Sequence, residues 1–140
     1  MNEPEVRITI LPDTGDRRGA SFQTGTGWLR FLSGIDDAHI AVILPGCVRG
    51  NHFHARRREV IAVLHAGAWR AAWDRGAETA VTVRDFSGAG AVLLEVEPGA
   101  AHAIANTGHA QLWIVGLSHG AWDPDAPDSF PRVLLPRQAG

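Results

Sequence analysis

Short runs in which apolar and polar residues alternate recur along most of the chain. The first, VRITIL at 6–11, has the two-residue period of a half-buried strand. Further extended runs follow at 28–32, 39–44, 59–65, 68–73, 79–83, 91–96, 102–106 and 111–117. Turn residues separate them: Gly25 and Gly27, Pro45-Gly46, Gly67, Arg75-Gly76, Gly88 and Gly90, Pro98-Gly99 and Gly108. Many short strands punctuated in this way predict an all-β domain, an antiparallel sandwich or barrel. No window sustains a helical period. RREVIAVLHAGAW comes nearest, but its β-branched residues and flanking turns favour a strand. There is no solenoid repeat and no low-complexity segment.

The end of the chain breaks the pattern. In SHGAWDPDAPDSFPRVLLPRQAG, Pro124, Pro127, Pro131 and Pro136 oppose regular structure, while Trp122, Phe130, Val133, Leu134 and Leu135 are costly to leave in water. Two arrangements satisfy both demands: an arm packed on its own barrel, or an arm laid across a second subunit to make a homodimer. The domain is expected to span 1–140, with a core at about 16–118 and a proline-rich arm at 119–140.

Composition narrows the partners. Of 140 residues, 45% are hydrophobic and 20% charged, as in ordinary globular proteins, and 140 residues suit one domain. A net charge of −2 with no basic stripe offers no footprint for nucleic acid. No apolar stretch is long enough to span a bilayer, and MNEPEVRITI lacks the basic and apolar regions of a signal peptide. One cysteine, Cys47, excludes an internal disulfide and fits a reducing compartment, so the cytoplasm is the expected location. Cys47 itself is expected to be small and buried. All thirteen basic side chains are arginine, which excludes lysine Schiff-base chemistry, and with no tyrosine there is no phenolic acid.

Candidate chemistry lies in two stretches. In GCVRGNHFHARRREVIAVLHAG, His52 and His54 are two apart and point the same way in a strand. Glu59, five beyond His54, has the wrong parity for one continuous strand, so a bulge or turn must intervene at 55–58. Beyond it, Ile61 and Val63 share the inward face with Glu59, while Val60, Ala62 and Leu64 face the other way. In EPGAAHAIANTG, His102 opens a strand and Asn106 lies four further on, suited to supporting a ligand or closing a turn. Three imidazoles and a carboxylate make a full ligand set for a divalent metal ion. Arg49 is a candidate clamp for a diphosphate or a sugar hydroxyl. His65, in parity with Glu59, and His119, after the last strand, are candidate bases. Arg56, Arg57 and Arg58 suit an exposed turn, His39 and His109 ordinary polar positions, and Trp28, Trp69, Trp73 and Trp113 the core or a sheet face. No nucleophile elbow, P-loop or dinucleotide fingerprint is present.

Together the two stretches resemble the paired motifs of the cupin superfamily. Gly46, His52, His54 and Glu59 are in place in the first, whose closing glycine falls one position late at Gly67; Gly99, His102 and Asn106 are in register in the second. Asp16-Arg17-Arg18-Gly19 is similar to the D-x-R-G opening of sugar-modifying cupins. RGNHFH, PGAAHAIANTG and WDPDAPDSFPRV together resemble the C-terminal cupin domain of bacterial capsular-polysaccharide assembling enzymes. That resemblance implies a single-domain cupin barrel in polysaccharide biosynthesis. It further implies His52, His54, Glu59 and His102 as metal ligands, with zinc first and iron, manganese or nickel also compatible. The implied activity is isomerisation or epimerisation of a nucleotide-linked keto-sugar, or a similar small carbonyl compound, through a metal-stabilised enediolate. The metal-free 3,5-epimerases, which use a tyrosine, and the 3,4-ketoisomerases, which generally lack the metal glutamate, fit less well. An iron-dependent cupin dioxygenase and a non-catalytic carbohydrate-binding or sensor cupin remain open alternatives.

Overall fold

The structure, a computed structural model, describes residues 3–121 and 123–137. Among these residues, ten strands and one short helix follow in the order β1 (Val6–Ile10), α1 (Gly27–Leu32), β2 (Asp37–Ile43), β3 (Val48–Phe53), β4 (Arg58–His65), β5 (Trp69–Trp73), β6 (Thr82–Phe86), β7 (Gly90–Val96), β8 (His102–Asn106), β9 (Leu112–His119) and β10 (Phe130–Pro131). They form two five-stranded antiparallel sheets, ordered β1-β7-β4-β9-β2 and β10-β3-β8-β5-β6. This is the jelly-roll sandwich of the cupins. No helix among the described residues is long and apolar enough to cross a membrane.

Alternation sets the layers. On β4, Ile61 and Val63 join Leu94, Ile104, Leu112 and Ile114 in the core between the sheets. Val60 and Ala62 point outward, with Leu93 from the neighbouring strand, and need separate cover. That cover explains the main departure from expectation, because 28–32 forms a helix rather than a strand. Trp28, Phe31 and Leu32 fall on one helical face and close over Val60 and Leu93. Only six residues long, the helix is too short to show a period, and packing rather than propensity decides it. β1 extends the core to residues before 16, and β6 starts three residues later than the 79–83 run.

The C-terminal arm packs on its own barrel. β10 pairs with β3 through Phe130↔Phe53 and Pro131↔His52, so prolines do not exclude a brief edge pairing. Beyond it Leu135 is buried over Ala72, Ala103 and Ala105, whose small side chains leave room for a covering segment. Val133 remains exposed, Phe130 stacks on Phe53, and Trp122 lies outside the described residues. Arg132 fastens the arm. Its guanidinium donates to both carboxylate oxygens of Asp74 at 2.7 Å and to the Gly99 carbonyl at 2.7 Å.

Burial of Asp74 works against its charged form. The Arg132 guanidinium and the amides of Ala101 and Gly76 outweigh that and hold its carboxyl below the ordinary carboxylate range. A depressed folded-state value contributes stability above the unfolded value and loses it as pH falls through the folded one. Arg132→Ala should therefore cost roughly 2–3 kcal/mol at neutral pH. The gap from wild type should narrow as pH drops below about 4, measured by denaturant unfolding across that range.

Candidate metal centre

β3 and β4 lie in different sheets, and the four residues 54–57 carry the chain from one to the other. The parity break between His54 and Glu59 is thus a crossing between layers. It sets His54 and Glu59 face to face, with Nε2 of His54 3.3 Å from one Glu59 oxygen and Nε2 of His102 3.4 Å from the other. Ligating atoms of His52, His54 and His102 all lie within 4.8 Å of one another.

A second irregularity brings His52 in. Gly50 pairs with Ala103 but His52 pairs with His102, so Asn51 is an extra residue, a bulge with φ of 57°. Arg49 and His52 both line the cavity although three apart, which a regular strand forbids. Gly50 has φ of 95°, and a Cβ there would meet the His102 carbonyl oxygen at 2.7 Å, so glycine alone fits. The displaced Asn51 side chain points to the arm, donating to the Leu135 carbonyl and accepting from the amides of Leu134 and Leu135.

The turn itself is held by the arm. The buried Asp128 carboxylate accepts hydrogen bonds from the amides of Ala55, Arg56 and Arg57 at 2.9–3.0 Å. Burial opposes its charge, but these three amides hold the carboxyl below its ordinary range. The Asp128 carbonyl lies 2.6 Å from Nδ1 of His54. A carbonyl only accepts, so that contact places the proton on Nδ1 and leaves a lone pair on Nε2. Across the site, the Gly99 amide donates to the His54 carbonyl at 2.7 Å, tying the turn before β8 to the crossing.

These side chains fit a divalent cation. Among the described residues, Nε2 of His54 is buried with no well-aligned hydrogen bond and faces the Glu59 carboxylate at 3.3 Å, as a ligand nitrogen would. Burial first, then the competing charges of His102 and His54, push His52 down to about 4, so it is neutral as a ligand must be. Burial also acts on His54 and Glu59, yet the Glu59 carboxylate raises His54, and hydrogen bonds from His102 and His54 lower Glu59. The cluster lies in a cavity of about 320 Å³. Ile61, Ile104 and Ile114 form its apolar wall, and His39, Arg49, Arg57 and Ser129 supply further polar groups.

The profile of the polysaccharide biosynthesis C-terminal domain family matches residues 16–130. The chain belongs to this family. No curated protein sequence matches it. Among solved structures it is similar to the capsular polysaccharide assembling protein CapF from Staphylococcus aureus, with TM-score 0.64, 19% identity, and coverage of 89% of this chain and 34% of that one. It spans between a quarter and a third of the length of CapF. It is also similar to dTDP-6-deoxy-D-glucose-3,5-epimerase from Legionella pneumophila, solved with dTDP-4-keto-L-rhamnose, with TM-score 0.68, 16% identity and coverage of 90% and 71%. A third similar structure is the 3,4-ketoisomerase QdtA from Thermoanaerobacterium thermosaccharolyticum, solved with TDP-4-keto-6-deoxyglucose, with TM-score 0.64, 15% identity and coverage of 89% and 86%. At such identities these structures share the cupin fold.

Within this polysaccharide biosynthesis domain, the residues singled out from sequence divide. Arg49 lines the cavity and donates to the Val42 carbonyl at 3.2 Å. His65 does not line it: the ring bonds to the Gly88 carbonyl and packs against Trp69 and Phe86. Parity is right, but His65 lies six residues along β4 from Glu59, about 20 Å away. His119 lines a neighbouring cavity with Arg56 and Arg57. Cys47 is exposed, because it closes the outer turn between β2 and β3, its amide donating to the Leu44 carbonyl. Asn106 closes a turn, bonding the Ile43 and Ala110 carbonyls and the Gly108 amide. Arg57, expected on an exposed turn, instead turns inward beside His54. Asp128 was carried by the DPDAPDSF block without a role, since its three amide partners lie more than seventy residues away.

Asp128→Ala should release the crossing while leaving the sheets intact. Hydrogen exchange should speed at the amides of residues 55–57 with strand amides still protected, and stability should fall by roughly 1–3 kcal/mol.

Proposed function

We propose that this domain is a metal-dependent isomerase or epimerase of a nucleotide-linked keto-sugar. The observation that carries the reading is the convergence of His52, His54 and His102 on one another, with Glu59 against two of them, in a cavity sized for a small molecule. The family match to a polysaccharide biosynthesis domain supports it, as do keto-sugar nucleotides bound to proteins of the same fold. His52, His54, Glu59 and His102 would hold the ion; zinc is the first choice, with iron, manganese and nickel compatible with this donor set. When bound, a divalent cation supplies a Lewis acid that stabilises negative charge developing on a substrate carbonyl oxygen. The chain's own groups do the rest. The Asp128 carbonyl holds His54 in one tautomer, the isoleucines give the cavity an apolar wall, and Arg49 offers a cation at the cavity for the nucleotide phosphates.

A second copy belongs to this reading. Ile40, Leu64, Trp113 and Val115 lie exposed together on the outer face of the first sheet, where Ile40 pairs with Val115 and Leu64 with Trp113. Ile40 is 73% exposed on β2, an edge strand with a free side. With Leu44 beside it, this patch offers on the order of 500 Å² of apolar surface, enough for the centre of a standard interface. We propose this patch as the face of a homodimer, and the cytoplasm as the location, where the exposed Cys47 would stay reduced.

Purified protein should contain about one divalent ion per chain by elemental analysis. In D2O it should exchange the α-proton of TDP- or UDP-linked 4-keto-6-deoxy sugars, followed by NMR. Glu59→Ala and His102→Ala should lose the ion and at least a hundredfold of the exchange rate. Exchange that survives metal removal defeats the metal mechanism, and turnover only with Fe(II) and oxygen indicates a dioxygenase. Sugar binding that is unchanged without metal and shows no exchange indicates a binding module. Light scattering should give the dimer mass for wild type and the monomer mass for Trp113→Asp.

A further inference from the structure

Proton abstraction needs a base that faces the cavity and is free to move a proton. Both candidates named from sequence fail on placement, since His65 is packed on Trp69 and His119 opens on the neighbouring cavity. Of the cavity's imidazoles, His52, His54 and His102 belong to the cluster, while Arg49 and Arg57 stay protonated. One imidazole is left. His39 lines the cavity, lies outside the cluster and makes no hydrogen bond to another described residue.

Its position is built by a glycine. His39 on β2 pairs directly with Gly116 on β9, which in turn pairs with Ile61 on β4. Gly116 faces inward between Ile114 and Ser118, and the His39 ring occupies the space its side chain would fill. A Cβ at Gly116 would lie 2.2 Å from Cε1 of the ring and 2.8 Å from each nitrogen. The ring thus lies flat across β9 toward β4, one register row from Glu59, which pairs with Ser118. Two strand spacings separate β2 from β4, roughly 10 Å, leaving room for a sugar carbonyl and its α-carbon between ring and cluster.

We propose that His39 is the catalytic base, and that Gly116 is the positioning residue that admits its ring. The assignment rests on the isomerase reading. In the step, the C–H bond α to the carbonyl breaks and its proton passes to an unprotonated ring nitrogen of His39. The bond's electron pair forms a C=C bond as the carbonyl π pair moves to oxygen. Return of the proton to carbon reverses the flow, so no oxidant or co-reactant is consumed.

His39→Gln, His39→Ala and Gly116→Ala are compared with wild type for metal content, calorimetric affinity for TDP-4-keto-6-deoxyglucose, and α-proton exchange in D2O. Metal content and affinity should stay within about threefold of wild type, while exchange falls a hundredfold or more in all three. Added imidazole should restore exchange to His39→Ala but not to Gly116→Ala, whose displaced ring still blocks the space. Wild-type exchange that persists in His39→Gln overturns the assignment and leaves the isomerase reading standing. Loss of exchange together with metal or affinity, without imidazole rescue, makes His39 structural and also overturns it. A wild-type protein that exchanges no nucleotide-linked keto-sugar overturns the function and the assignment together.

Discussion

The site depends on a crossing: the chain leaves one sheet after Phe53 and enters the other at Arg58, with four residues between. Only that transfer can set His54 and Glu59 opposite one another across the sandwich. A transfer so tight leaves successive amides pointing away from any strand partner, and buried amides without acceptors are costly. Asp128 answers all three with one carboxylate and gives its carbonyl to the His54 ring. The crossing is therefore stabilised by a segment seventy residues away, and the arm is part of the centre.

The electrostatics follow from that geometry. Glu59 is buried, and a carboxylate in such a place needs partners that compensate lost hydration. His54 and His102 stand on either side of it at 3.3 and 3.4 Å. The same burial, with His54 and His102 beside it, holds His52 neutral. A neutral His52 and an ionised Glu59 are already in the protonation states that a divalent ion requires of its ligands.

Most of the framework was legible in the sequence because it depends on local alternation. Strands at 59–65, 91–96 and 102–106 follow directly from the period of two and the turns that bound them. Parity alone exposed the break between His54 and Glu59. It could not say that the break is a change of sheet, because that depends on which strands pair. The Asn51 bulge was hidden for the same reason, as it shows only when Gly50 and His52 are registered against β8. The helix at 28–32 was missed because six residues carry too little period, and the decisive packing against Val60 and Leu93 is distant. His39 looked like an ordinary polar residue, since nothing near it in sequence reveals that Gly116 lies across from it.

The Asn51 bulge joins two loyalties in one residue: its backbone displaces His52 toward the cluster while its side chain grips Leu134 and Leu135. Peeling of the arm and disorder of the histidines are then one event viewed from opposite faces of the sheet. By reciprocity, whatever binds the cluster must slow the fraying of the arm, and whatever pulls on the arm must weaken what the cluster holds. A tether, a neighbouring domain or a protease acting at the arm would thus reach the chemistry through a single strand, with no movement of the barrel as a whole.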